Sequence, residues 1–346
     1  MPADKQIRIA VIGAGANTQA KHIPLLQKID GVTILGVVNR SEASSQAVAQ
    51  KFGIPKTYPS WEAAVIDPDI DAIVVGTWPY LHCPITLSSL EHGKHILTEA
   101  RMAMNATEAH QMLDASRQHP ELVAQIVPSP LTLNVDKTIT HLIESGTLGR
   151  LLTIECRHGT QFYDASTPLH WRQDTRKSGL NIMAMGIYYE AIMRWVGPAH
   201  KVTALGQIYT KQRRDEAGQN HEIGVPEHLD VLAEFKPQIQ LHLQESAVTP
   251  QREGDGIWLT GSEARLRLNQ GQLCINTKKT SDWQEVPITP ERQGGWRVEE
   301  EFIRAIRGEE TVTQTTFEDG VRYMEFTDAV HRSLKTGQTI TLALGS

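Results

Sequence analysis

An apolar run from Ile7 to Ile12 leads straight into Gly13-Ala14-Gly15-Ala16-Asn17-Thr18 and then a helical pattern. That order suits a bound pyrophosphate. Gly13 permits a tight turn, Gly15 lets the backbone approach phosphate oxygens, and the helix N-terminus offers free N–H groups and the positive end of its dipole. A dinucleotide therefore ranks above an ordinary strand-to-helix turn, with Gly13, Gly15, Ala16, Asn17 and Thr18 as its contacts; Thr18 stands where a third glycine is usual. The second apolar run, Val32 to Val38, ends at Asn39-Arg40-Ser41, where a ribose-binding acid is common. Here the acid is absent. Arg40 and Ser41 can take a 2′-phosphate by charge-assisted hydrogen bonds, although Arg40 also reads as a solvated loop residue. The expected cofactor is NADP or NAD, with a lean to NADP.

Further chemistry sits downstream. His170-Trp171-Arg172 falls in an irregular polar segment, where binding residues are common. A Met-rich stretch, read as one helix from about Leu180 to Trp195, carries Asn181, Tyr188, Tyr189, Glu190 and Arg194. A period of 3.6 puts Asn181 and Tyr188 near one face and pairs Glu190 with Arg194. Arg101 stays protonated, so it is no base. It can bind a carboxylate or sulfonate, polarise a carbonyl, or depress the pKa of a neighbouring Tyr188; a structural pairing with Glu99 or a helix end is the plainer alternative. Tyr188 reads equally as a core tyrosine, and His170 as an incidental surface histidine. His221-Glu222 and Glu227-His228 lack metal-ligand spacing, so no metal is expected. Trp258, Trp283 and Trp296 suit sheet packing as well as a sugar platform.

These residues need a scaffold. At about 150 residues per domain, 346 residues predict two domains. From Ile7 to about Gln125, β-branched runs (Val32 to Val38, Ala72 to Gly76, His95 to Thr98, Leu122 to Val127) alternate with amphipathic stretches, as in a parallel sheet with crossover helices. The break at Pro128 to Pro130 sets a boundary, giving 1–127 and 128–346. Beyond it, after a strand from Leu151 to His158 and the helix that ends at Trp195, consecutive strands from Lys201 to Leu268 without long helices between them predict an antiparallel sheet. The fold class is α/β: an N-terminal Rossmann doubly wound sheet plus a C-terminal α+β domain. Lys+Arg 34 against Asp+Glu 40 gives a charge of −6, which leaves no basic field for nucleic acid. Cys83, Cys156 and Cys274 form no framework, so a reducing, cytoplasmic setting is expected. Met1 to Gln6 carry no export signal, and no membrane span is expected.

The turn at Gly13 to Thr18, His22, Thr77-Trp78-Pro79-Tyr80-Leu81-His82, Gly93-Lys94-His95-Ile96-Leu97-Thr98-Glu99, Ser145-Gly146-Thr147-Leu148-Gly149 and Trp171-Arg172 together resemble the Gfo/Idh/MocA family of sugar and cyclitol oxidoreductases. The likeness covers nearly the whole chain. It implies nicotinamide near Thr77, Trp78 and Glu99, His82 among the cofactor contacts, and Trp171 and Arg172 reaching the cofactor, with His170 placed to meet substrate. It also implies that the C-terminal sheet is large, open and mostly antiparallel, and that it joins copies of the chain into a homo-oligomer, dimer or tetramer. The family's Glu-Lys-Pro becomes Glu99-Ala100-Arg101, and its Asp-x-Gly-x-His becomes Ala184-Met185-Gly186-Ile187-Tyr188. The Lys, Asp and His are all replaced. Relatives with a Tyr in place of that His make Tyr188 a candidate acid/base. The catalytic candidates are Tyr188, Arg101 and His170; the substrate candidates are Arg101, His170, Asn181 and Tyr188.

The expected activity is NAD(P)-dependent hydride transfer on a sugar, sugar acid, cyclitol or glycoside. Two other classes stay open: a redox-neutral glycosidase or lyase acting by transient oxidation and elimination, and a cofactor-binding homologue without catalysis.

Overall fold

Ile, Val and Ala fill β1 (Ile7–Ile12) and β4 (Ala72–Val75) with no polar face, so both strands fit only where a sheet is covered on both sides. The computed structural model places them at the centre of a parallel sheet. It describes residues 6–236, 238–252 and 254–342; Met1 to Lys5, read above for an export signal, lie outside them. With β2 (Val32–Val38), β3 (Lys56–Thr57), β5 (His95–Thr98) and β6 (Ala124–Ile126), the order is β3-β2-β1-β4-β5-β6. The order reverses between β1 and β4, and a doubly wound sheet opens its ligand crevice at that switch point.

The connecting helices are α1 (Ile23–Leu26), α2 (Glu42–Phe52), α3 (Trp61–Val65), α4 (His82–Glu91) and α5 (Ala106–Gln118). A π-helical turn, Thr18–His22, precedes α1. Ser41 caps α2 by accepting from Ser44 N, and Asn105 caps α5 by accepting from Glu108 N.

The chain divides into two compact units, and the first takes residues through Pro128 together with Arg297–Val321. The sequence reading kept 297–321 in an unbroken second domain. Buried polar contacts explain the difference. From α9 (Val298–Arg307), Glu301 accepts from Gln125 Nε2 at 2.8 Å and from Thr313 N at 3.0 Å, while Glu299 Oε1 lies 2.5 Å from His22 Nδ1.

The second unit, Ser129–Trp296 with the described residues from Arg322 on, holds α6 (Asp136–Glu144), α7 (Thr175–Ser178), α8 (Met185–Val196) and most of α10 (Phe317–Thr336). A small hairpin pairs β9 (Gln212–Arg214) with β10 (Asn220–Glu222). The main sheet has nine strands: β7 (Leu151–Thr160), β8 (Ala199–Gln207), β11 (His228–Phe235), β12 (Ile239–Pro250), β13 (Gly256–Gly261), β14 (Ala264–Asn269), β15 (Gln272–Thr277), β16 (Thr280–Glu285) and β17 (Ile340–Thr341). Their order is β16-β15-β14-β13-β7-β12-β11-β8-β17, antiparallel except where β7 and β12 run parallel. Trp258 and Trp283 pack edge to face on this sheet beside Arg265 and Arg267.

One predicted helix is shorter than expected. Gly179 at φ 63° ends α7, and Met183 at φ 41° interrupts the backbone, so α8 starts at Met185 rather than Leu180. Asn181 is outside the helix and shares no helical face with Tyr188. Four residues lock α8 in place. Tyr189 stacks on Phe326 with centroids 3.6 Å apart, Trp195 Nε1 donates to Asp136, and Glu190 binds Arg194 in the expected i,i+4 pair at 3.0 Å.

His22 generates a stability prediction. Burial opposes its charge, but hydrogen bonds to Glu299 and Glu99 overcome that and raise its pKa to about 9. A raised folded-state pKa stabilises fully below about pH 6.5 and is lost as pH climbs through about 9, a contribution on the order of 3 kcal/mol. The thermal midpoint of the wild type should fall across that window. The same pH scan of Glu299→Gln should show a much flatter response.

Candidate active site

In the first unit, a cleft of about 510 Å³ opens beyond the carboxyl ends of β1 and β4. Gly13 (φ 86°), Gly15, Asn39, Arg40, Thr77 and Trp78 are among its walls. A Cβ on Gly13 would sit 2.7 Å from Thr77 N, so only glycine fits, whereas the nearest atom to a Cβ on Gly15 is Gly76 O at 3.7 Å. The surface above Gly15 is thus open. The first helical turn leaves its N–H groups without intrahelical acceptors. This cradle fits a pyrophosphate.

Asn39 Oδ1 accepts from Ala14 N at 2.6 Å, and its amide donates to Ser44 O, so it ties the glycine turn to α2. Arg40 is exposed, its guanidinium 5.6 Å from the Trp78 ring centroid. The Ser41 hydroxyl accepts the α2 cap bond and still has its own proton to donate. Ala16 and Asn17 are exposed just beyond the turn, and Asn17 Nδ2 donates to Glu99 Oε1.

Three expectations change here. Thr18 is 1% exposed and donates to Gly13 O, so its side chain faces inward and away from a ligand. His82 is fully buried, with Nδ1 2.9 Å from Arg101 O and Nε2 3.0 Å from Thr77 O, so both ring nitrogens are engaged in bracing two loops. Arg101 is 2% exposed, which removes it from any open substrate surface. Glu99 is largely buried too. Burial pushes its pKa up, but His22 and Asn17 outweigh that and hold it below the usual carboxylate range.

The second unit has its own cleft, of about 410 Å³, lined by His158, His170, Arg172, Arg213, Glu227 and Glu245 among others. Arg172 lies over the Trp171 ring at 4.2 Å, and its backbone N–H donates to His170 Nδ1. Partial burial and then the Arg172 charge lower the His170 pKa, which favours its neutral form. Asn181 is fully buried and donates to Ser178 O. Tyr188 lines a neighbouring cavity of about 230 Å³. Its phenol shifts opposite to the expected direction: burial, then Glu245, Cys156 and Asp255, push the pKa up.

His158 was overlooked in the sequence and lines both cavities. Its Nδ1 is 3.2 Å from Glu245 Oε2, and its ring centroid is 5.1 Å from that of Tyr188. The Glu245 hydrogen bond raises the His158 pKa against the opposing effect of burial. A signal did exist: Leu241, Leu243 and Glu245 occupy one alternating phase of β12, and all are buried. A carboxylate in an apolar phase marks a polar partner.

A glycine cradle at a Rossmann switch point, with a second cleft carrying several polar side chains in a companion α+β unit, defines a dinucleotide-dependent oxidoreductase. Comparison with known proteins agrees: residues 7–126 match the oxidoreductase family with an NAD-binding Rossmann fold, and residues 137–267 match the GFO/IDH/MocA C-terminal domain. The chain belongs to the Gfo/Idh/MocA family. An uncharacterised oxidoreductase of Synechocystis sp. is 23% identical over 291 residues, 82% of this chain and 75% of that protein. Trans-1,2-dihydrobenzene-1,2-diol dehydrogenase of Mus musculus is 25% identical over 202 residues, 58% of this chain; the match spans 56% of the mouse protein. Levoglucosan dehydrogenase in complex with NADH and L-sorbose superposes with a TM-score of 0.85 at 19% identity, over 98% of this chain and 99% of that one. An NAD binding oxidoreductase from Klebsiella pneumoniae gives 0.84 at 19%, over 98% and 100%. At these identities the structural likeness establishes the fold.

Because the space over Gly15 is open, Gly15→Trp should fold normally yet fill the pyrophosphate position. Fluorescence titration should show nicotinamide dinucleotide binding abolished, with the circular dichroism spectrum unchanged. Retained binding would refute the placement.

Proposed function

We propose that this oxidoreductase moves hydride between NAD(P) and an alcohol carbon of a sugar, sugar acid, cyclitol or glycoside. The observation that carries the reading is the group of polar side chains set into the otherwise mostly apolar lining of the second unit's cleft. Thr160, Gln161, Thr167 and Gln173 join Arg172 and Glu227 there, a set suited to a ligand with many hydroxyls. The named substrates of two relatives, levoglucosan and dihydrobenzene diol, are likewise alcohols. When bound, the nicotinamide supplies the hydride acceptor or donor. Tyr188, kept neutral, donates a hydrogen bond to the substrate oxygen, and neutral His170 meets the substrate at the cleft rim. Arg40 and Ser41 receive a 2′-phosphate, which favours NADP. The three cysteines are buried free thiols, in keeping with a cytoplasmic setting.

The test is a panel of levoglucosan, trans-1,2-dihydrobenzene-1,2-diol, aldoses, aldonates, inositols and aryl glycosides with NAD⁺ and NADP⁺. At least one alcohol should yield reduced cofactor, and Arg40→Ala should weaken NADP binding more than NAD binding; equal losses would remove the NADP preference. Aryl glycoside cleavage without net reduced cofactor would move the assignment to redox-neutral elimination. No reaction with any member would leave only a cofactor-binding role.

The nine-stranded sheet is the proposed contact with a second copy. Leu205 and Leu232, 77% and 57% exposed, stand diagonally on neighbouring strands β8 and β11, an exposed apolar pair on an otherwise polar sheet face that a partner would cover. Light scattering should find a dimer or tetramer for the wild type and monomer for Leu232→Asp. A monomeric wild type would end this proposal.

A further inference from the structure

Neither the glycine turn nor the altered family motifs use the pair that β7 and β12 bring together. His158 and Glu245 face each other in parallel register. Glu245 is 1% exposed, whereas the His158 side chain keeps 29% of its surface in the cleft. Nδ1 is occupied by the carboxylate, and among the described residues no protein group hydrogen-bonds Nε2. An imidazole with one nitrogen anchored by a buried carboxylate and the other open to a ligand cavity is the arrangement a general base requires.

We propose that His158 is the catalytic residue that exchanges the substrate hydroxyl proton at Nε2, with Glu245 as the positioning residue that fixes Nδ1–H. The inference rests on the alcohol-oxidoreductase reading above. During oxidation the carbinol C–H electron pair leaves with the hydride to the nicotinamide dinucleotide, and the O–H pair becomes the second C–O bond. The proton alone passes to Nε2, while Nδ1–H stays on Glu245. From Nε2 the proton leaves to water through the cleft, which restores the neutral base.

The neighbouring groups favour this choice. Tyr188, from α8, has its phenol pushed up chiefly by burial and also by the nearby carboxylates Glu245 and Asp255, so it is a poor base but a sound hydrogen-bond donor. His170 has a lowered pKa and spends Nδ1 on the Arg172 N–H. Glu245 from β12 and Asp255 ahead of β13 both favour the protonated form of His158. Across the cleft, Arg213 is paired with Glu227 at 2.7 Å.

The experiment compares wild type, His158→Asn, Glu245→Gln and Tyr188→Phe on whichever panel alcohol turns over, together with histidine side-chain NMR titrations of the substrate-free proteins. His158→Asn should lower kcat about 10²- to 10⁴-fold with cofactor affinity unchanged. In Glu245→Gln the acidic limb of the kcat profile should move to lower pH, because the charge that favours the imidazolium is gone, and the NMR titration of His158 should move the same way. Tyr188→Phe should leave that limb in place. Full activity of His158→Asn with an unmoved limb would overturn the proposal and leave the oxidoreductase reading standing. A His158 titration indifferent to Glu245→Gln would overturn it too, and this decides the matter even if His158→Asn fails to fold. A wild type that oxidises no alcohol in the panel would overturn both readings.

Discussion

A buried imidazolium holds the first unit together. His22 is fully buried between Glu299 of α9 and Glu99 at the end of β5, with Asn17 also bound to Glu99. Desolvating a lone charge costs several kcal/mol, so such a group persists only when its partners are close and complete. Two carboxylates converging on one ring satisfy that condition. In doing so they join the helix of the phosphate turn, the segment after β5 and the returning residues 297–321 into one body. Glu99 is thereby committed as a fixed anion and is unavailable as a proton donor.

The same economy governs the phosphate turn. In the usual motif the third glycine lets helix and strand pack closely; here Thr18 occupies that place, and the space is recovered from the other side. A Cβ on Gly76 would overlap Thr18 Oγ1 and Gly13 O. The close approach has been transposed from the helix to the end of β4, and the open surface above Gly15 is preserved.

The second unit works against the assignment that motif comparison suggests. Three contacts made by four residues fix α8 and leave Tyr188 beside His158, but the local field is negative, from Glu245 and Asp255. Such a field disfavours a phenolate and favours an imidazolium. A family position that elsewhere holds His is filled by a residue the surroundings keep neutral, and the titratable imidazole stands on β7 instead.

Local pattern was enough to determine the alternation of β-branched runs and amphipathic stretches, the glycine turn with Asn39 to Ser41 at the next strand's end, the i,i+4 pair of Glu190 and Arg194, and the change to an antiparallel second half. Each depends on residues a few positions apart, where backbone geometry alone dictates which side chains meet. Long-range packing decided most of the rest. That His82, Thr18 and Arg101 face inward and that 297–321 return to the first unit depend on the packed tertiary structure, whereas Asn181 precedes α8 because Gly179 and Met183 break the backbone locally in a way the helical period did not reveal. His158 and Glu245, 87 residues apart, meet only through the parallel register of β7 with β12. Strand register is a property of the whole sheet, and no local spacing encodes it.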